Sequence, residues 1–189
     1  WVFTKVGASA PINSLHSLRR SEVEEIIMMI QPKSKVTPFL WLEKDAEAAA
    51  NFYVSLFADS KVVDTARWGK GSPYLQGSVM SATLELAGQQ YILFNGGPHF
   101  KLNESFSLFA SCEDQAEIDR LWDALTADGG APSQGGWLKD KFGLTWQIVP
   151  KALMRLLGDK DSAKAARVMQ SMMQMIKIDV AELERAAAG

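Results

Sequence analysis

Gln147 stands inside an apolar run, Leu144 to Val149, with Trp146 on one side and Ile148 on the other. A side-chain amide in such a strand is either hydrogen-bonded core or the wall of a pocket. Few other side chains here are equipped for chemistry. The chain has two histidines, His16 and His99, and a single cysteine, Cys112. His99 follows Gly96-Gly97-Pro98, where a loop imidazole could act as a general base, although one that only hydrogen-bonds backbone is the simpler reading. Glu104 lies in the same loop region and, with His99, completes the weak catalytic candidates. Cys112 sits in the apolar run SFSLFASC and reads as an inert buried thiol. No serine stands in a nucleophile-elbow context. A divalent metal needs about three or more protein ligands of defined geometry, and His16 lies apart in the N-terminal arm, so no metal is expected.

The material for a lined pocket is more plentiful. Trp41, Trp68, Tyr91, Phe94, Phe106, Trp137 and Trp146 are candidate aromatic walls, with Asn103, Glu104 and Gln147 as polar points. Aromatics at strand spacing are mostly core, so only two or three are expected to reach a ligand.

Composition narrows the partners. A net charge of −2 over 189 residues gives no electrostatic reason to expect nucleic acid or an anionic membrane. One cysteine rules out an internal disulfide and fits a reducing compartment, so a cytoplasmic setting is expected. No apolar run approaches the ~20 residues of a membrane span. Residues 1–20 mix Gly, Ser, Pro and Asn without a period, lack a long apolar stretch of the secretory kind, and read as a loosely held arm.

The elements that must position these side chains follow from periodicity. Ser21 and Glu24 have capping-box spacing, and Val23, Ile26, Ile27 and Ile30 form the stripe of a short helix ended by Pro32. Lys35 to Leu42 reads as a strand, about Ala46 to Ala58 as a helix, and Lys61 to Trp68 as a strand. Ser78 to Ala87 and Gln90 to Asn95 are strands joined by a reversal at Gly88-Gln89. The order then repeats at a spacing of roughly 65–70 residues. Ser105 to Cys112 is a strand, Asp114 and Glu117 cap a helix ended at Gly129-Gly130, and Trp137 to Val149 folds back at Asp140-Lys141-Phe142-Gly143. The expected class is α+β, two βαβββ modules, each with a helix for one sheet face and the other face left for a pocket. Helices from Ala152, from Asp161 or Ser162, and from Asp179 complete the tail, where the methionines at helical spacing read as packing.

The segments TPFLWLEKDAEAAANFYVSLF at 37–57, GGPHFKLNES at 96–105, DQAEIDRLWDAL at 114–125, GGWLKDKFGLTWQIVP at 135–150 and AKAARVMQSMMQMIKIDVAEL at 163–183 carry a resemblance. The chain resembles the vicinal oxygen chelate (glyoxalase/bleomycin-resistance) superfamily, and within it the PhnB-like branch labelled 3-demethylubiquinone-9 3-methyltransferase. The resemblance covers roughly residues 36–185 and implies three regions: an unplaced arm and short helix at 1–35, a two-module domain at 36–150, and a helical extension of it at 151–189. The branch often has cysteine before its Gly-Trp-Leu, where this chain has Gly135.

The resemblance also implies where function would lie. Metalloenzymes of the superfamily carry a carboxylate at the end of a D-x-x-G-x-x-x-E strand, and here that register, starting at Asp140, ends on the neutral Gln147. Their first-strand ligand falls at Pro38 or Phe39, neither of which binds metal. The branch label suggests methyl transfer, yet no glycine-rich turn follows the first strand, which leads through Glu43-Lys44-Asp45. With the residues read above, the expected protein binds a small apolar or aromatic molecule, or acts on it as an enzyme, without metal or other cofactor, on Trp41, Trp68, Phe94, Asn103, Phe106, Trp137, Trp146 and Gln147. The alternative is a metal-dependent lyase, isomerase or dioxygenase using Glu104, His99 and Gln147; a methyltransferase is the more distant reading. Pairing of modules between subunits in this family, together with the Met-rich tail, implies a homodimer.

Overall fold

Apolar alternation and a few polar tethers account for most of the chain's architecture. The computed structural model of the protein describes residues 35–72 and 74–189, so the helix expected at Ser21–Ile30 lies outside the described residues. Two units divide at Phe100, the second running Lys101–Gly189.

In the first unit, β1 (Phe39–Leu42) leads to α1 (Ala46–Leu56), then β2 (Lys61–Arg67), β3 (Val79–Leu86) and β4 (Gln89–Asn95). The sheet order is β1-β4-β3-β2, with β1 parallel to β4 and the other pairs antiparallel. Leu40, Leu93 and Ala82 stand opposite one another across three strands and are buried on one face. Ala46, Ala49, Ala50, Tyr53 and Leu56 of α1 bury the stripe that covers the sheet. Two boundaries differ from the sequence expectation. The strand expected from Lys35 begins only at Phe39, because Pro38 has no N–H for the ladder and joins it only through its carbonyl, which accepts from the Ile92 amide at 3.0 Å. The β3–β4 reversal is Ala87-Gly88, not Gly88-Gln89. Both residues have positive φ (46° and 86°), as a two-residue turn matched to strand twist requires, and the Ala87 amide is tied to Ser60 Oγ at 2.9 Å.

The second unit repeats the order. It contains β5 (Ser107–Cys112), α2 (Gln115–Thr126), β6 (Ala131–Pro132), β7 (Trp137–Lys139) and β8 (Thr145–Pro150), with sheet order β5-β8-β7-β6 and β5 parallel to β8. Asp114 caps α2 by accepting the Glu117 amide at 2.9 Å, and Glu117 reaches back to the Glu113 amide at 2.8 Å. Ile118, Leu121, Trp122 and Leu125 of α2 are buried, as are Leu138, Trp146 and Ile148 of the strands it crosses.

The reversal between β7 and β8 falls at Asp140–Gly143, as the sequence indicates. Asp140, only 3% exposed, organises it. One carboxylate oxygen accepts the amides of Phe142 (2.8 Å) and Leu144 (3.0 Å), and the other accepts the Trp146 indole N–H at 2.8 Å. Gly143, with φ of 86°, supplies the left-handed step.

The tail is part of this unit. α3 (Lys151–Leu157), α4 (Ser162–Met172) and α5 (Val180–Ala188) enclose a core of Val149, Leu153, Leu156, Val168, Ile178, Leu183 and Ala187. Asp161, one of the two expected caps, and Asp179 cap the last two helices. Met172 and Met175 pack on this core, whereas Met169 is exposed on α4 itself and Met173 and Ile176 are exposed beyond its end. The Gly135 and Gly136 amides bond to the Met175 and Ile176 carbonyls at 2.7 and 2.8 Å, strapping the tail to the loop before β7. Gly136 has φ of 83°, and a Cβ there would meet the Ile148 carbonyl at 2.9 Å. No helix among the described residues is long and apolar enough to cross a membrane.

Removing the carboxylate of Asp140 leaves buried donors without an acceptor. Asp140→Ala is expected to lower unfolding free energy by roughly 3 kcal/mol or more, since each hydrogen bond to a charged group contributes about 1.5–3 kcal/mol. Urea unfolding measures this, and a loss below about 1 kcal/mol would show that the carboxylate does not hold the turn.

Candidate functional site

Register decides which side chains of the second sheet face away from α2. Residues opposite one another on paired strands point to the same side, and neighbours along a strand point to opposite sides. Trp146 therefore shares the α2 side with Leu138, and its indole is spent on Asp140. It is 1% exposed, a core position, although the sequence placed it among the pocket walls. Gln147 points the other way. It stands between Trp137 on β7 and Phe109 on β5, and Phe109 is 52% exposed. The adjacent row on this face is Lys139, Thr145 and Ser107.

Hydrogen bonds bind some of these groups and leave others open. Gln147 Nε2 donates to Ser107 Oγ at 2.8 Å, and its carbonyl oxygen has no partner among the described residues. Thr145 is 3% exposed, and its hydroxyl likewise has no partner among the described residues. A cleft of about 220 Å³ opens here, lined by Glu104, Ala131, Pro132, Ser133, Trp137, Leu138, Lys139 and Thr145. Lys139 Nζ pairs with Glu104 Oε1 at 2.6 Å. That hydrogen bond, then one from backbone, then the Lys139 charge hold the Glu104 carboxyl below the usual carboxylate range.

The remaining candidates are placed as follows. Asn103 is spent on its own turn, its Oδ1 accepting the Ser105 amide at 3.0 Å, and Phe106 is 38% exposed. In the first unit, Trp41 and Phe94 meet edge to face at 5.3 Å, Trp68 lies 6.4 Å from Phe94, and Phe39 and Phe100 extend the cluster. Trp41 donates its indole N–H to the Gly97 carbonyl at 2.9 Å. Its ring lies so close to Gly96 that a Cβ there would fall 2.1 Å from it. Tyr91 is opposite Leu84 on the α1 side, and burial raises its phenol pKa. His99 is exposed in the loop after β4. Burial pushes the Cys112 thiol up to about 12, which leaves it un-ionised at neutral pH.

The groups of the two alternative readings, a divalent metal and a methyl donor, do not fit the described residues. At the metal register stands an amide already bonded to Ser107, and the first-strand position holds the Phe39 ring. No group of three or more His, Cys, Asp or Glu able to hold a metal ion stands together among the described residues. Doubly wound folds meet a nucleotide-type cofactor at a glycine-rich turn opening the first helix. Here Asp45 takes a left-handed conformation (φ 69°), and the Ala46 amide is already bonded to Asn95 Oδ1 at 2.8 Å.

Sequence reasoning passed over Thr145, Lys139, Ser107 and Phe109. A signal existed for two of them, since period two carries Gln147 back to Thr145 and Trp137 forward to Lys139.

The lowered Glu104 pKa has a testable sign. A carboxylate held below its ordinary pKa keeps its pairing above the unfolded-state pKa and loses it as pH falls through the lowered value. Side-chain carboxyl NMR should show Glu104 titrating below an ordinary glutamate, and Lys139→Met should return it towards the ordinary range. An unchanged titration in that variant would break the assignment of the shift to Lys139.

The comparisons with known proteins agree with this architecture. The family described as 3-demethylubiquinone-9 3-methyltransferase matches residues 34–149. A Bacillus cereus structure described as a putative 3-demethylubiquinone-9 3-methyltransferase, PhnB protein, is 35% identical, with 62% of this chain and 99% of that chain covered at a TM-score of 0.57. A Pseudomonas aeruginosa crystal structure shares the fold at 19% identity and a TM-score of 0.51, covering 62% of this chain and 98% of its own. No functionally curated protein matches the chain. With its βαβββ order built twice and this match running through both modules, the chain belongs to the PhnB-like 3-demethylubiquinone-9 3-methyltransferase family.

Proposed function

We propose that the protein binds a small apolar or aromatic molecule on the face of the second sheet that carries Gln147, without a divalent metal. The observation that carries this reading is the Thr145 hydroxyl, buried without a partner beside a cleft that Trp137 and Pro132 line. A buried hydroxyl left without a hydrogen bond costs about 1–3 kcal/mol, which a ligand accepting that bond recovers. Covering about 100 Å² of apolar ligand surface adds roughly 2.5 kcal/mol. Gln147 contributes orientation. Its amide nitrogen is fixed by Ser107, so its carbonyl oxygen presents one acceptor at a defined place. The methyl transfer in the family's name is not part of this reading, since no glycine-rich turn leads from β1 into α1.

The reading extends to assembly. Met154, Met169, Met173 and Ile176 expose apolar surface on the tail, which favours a homodimer of this chain. Light scattering at tens of micromolar should report twice the chain mass, and a monomer there would remove this part of the reading.

A thermal-shift screen of aromatic and apolar compounds should find ligands that stabilise the protein. For such a ligand, Gln147→Ala is expected to weaken binding by about 1–3 kcal/mol, with Trp137→Ala at least as damaging. A Gln147→Ala variant that loses stability but keeps full affinity would make the amide a core group and refute the proposed contact.

A further inference from the structure

Resting on that reading, we infer that the ligand is an aromatic acid, whose carboxylate replaces Glu104 on Lys139 and accepts the Thr145 hydroxyl. Lys139, Thr145 and Ser107 stand opposite one another on three adjacent strands, facing the same side. Strands lie about 4.8 Å apart, so Thr145 in the middle of the row has Lys139 and Ser107 as its immediate neighbours on either side. All three side chains can donate. Lys139 is a cation, the Thr145 hydroxyl is uncommitted among the described residues, and Ser107 Oγ already accepts from Gln147, so its own proton is free to point outward. A row of donors that includes one positive charge fits an anion with two acceptor oxygens. A neutral group would leave the charge unused, and a cation would meet Lys139. The next row supplies the place for a ring, with Trp137 and Phe109 on either side of Gln147.

Glu104 is the resident counter-ion, not part of the receptor. Its side chain is 66% exposed and that of Lys139 40%, so their pair stands largely in water, where ion pairs contribute little. Thr145 is the opposite case, almost wholly buried. A ligand carboxylate that exchanges for Glu104 therefore gives up a weak contact and gains the hydrogen bond that the buried hydroxyl lacks.

The test compares 2-naphthoate with its neutral isostere 2-naphthamide by isothermal titration at pH 7.5, on the full chain. Naphthoate is expected to bind at least fivefold more tightly, with the difference shrinking as salt rises. Lys139→Met should erase the difference. Thr145→Val, nearly the same shape, should lower naphthoate affinity about tenfold, with thermal unfolding confirming a folded variant. Glu104→Gln is the most discriminating, because freeing Lys139 should raise naphthoate affinity about threefold or more and leave naphthamide unchanged. Equal binding of the two probes, both lost in Trp137→Ala, would overturn the acid and leave the aromatic site standing. Naphthoate weakened by Glu104→Gln would also overturn it. Failure of both probes to bind would overturn the aromatic site as well.

Discussion

A carboxylate taken out of water persists in a fold only where hydrogen bonds replace its hydration, and Asp140 meets that condition through two backbone amides and one indole. Much of the second sheet depends on that arrangement. The two amides fix the turn, and the turn fixes Lys139 opposite Thr145. The indole fixes Trp146 on the α2 side. A slip of one residue would send Trp146 to the open face and Gln147 into the core, so the same carboxylate that closes the turn also chooses which side chains are presented.

The two units solve one topology with different chemistry. Register aligns them: Phe39 opposite Ile92 in the first corresponds to Phe109 opposite Gln147 in the second, and Leu42 opposite Asn95 to Cys112 opposite Pro150. Where the first unit has isoleucine, the second has the amide that anchors its polar face. Asn95 closes the N-terminus of α1 from a neighbouring strand, while α2 is capped locally by Asp114. Pro150, at the place of Asn95, leads directly into α3. The aromatic surface of Trp41, Phe94 and Phe39 and the donor row of Lys139, Thr145 and Ser107 thus arise from equivalent strands with different side chains.

Local signals in the sequence were the most legible. Asp114 and Asp179 cap the helices that their spacing indicates, and the reversal at Asp140–Gly143 follows from Gly143 and the apolar runs beside it. Boundaries shifted where one residue's backbone decided the matter, as at Pro38 and Ala87. The site was harder, because alternation separates two faces of a strand without saying which one a helix covers. Trp146 and Gln147 were therefore read together, although they point apart. The Lys139–Glu104 pair joins residues distant in sequence, and nothing at either position announces the other.

Three buried groups of the second unit, Asp140, Cys112 and Thr145, differ in what surrounds them, and the difference bears on function. Asp140 is satisfied by groups of its own turn and strand, which makes it structural. Cys112 sits in the core with its proton held on by burial, which removes it from chemistry at neutral pH. Thr145 belongs to neither case. Valine would fill nearly the same space on β8 without the cost of an unpaired hydroxyl, so packing alone does not explain a threonine there. On the proposed reading, a group that joins it from the cleft accounts for the hydroxyl, and its neighbours Lys139 and Ser107 favour a group rich in acceptors.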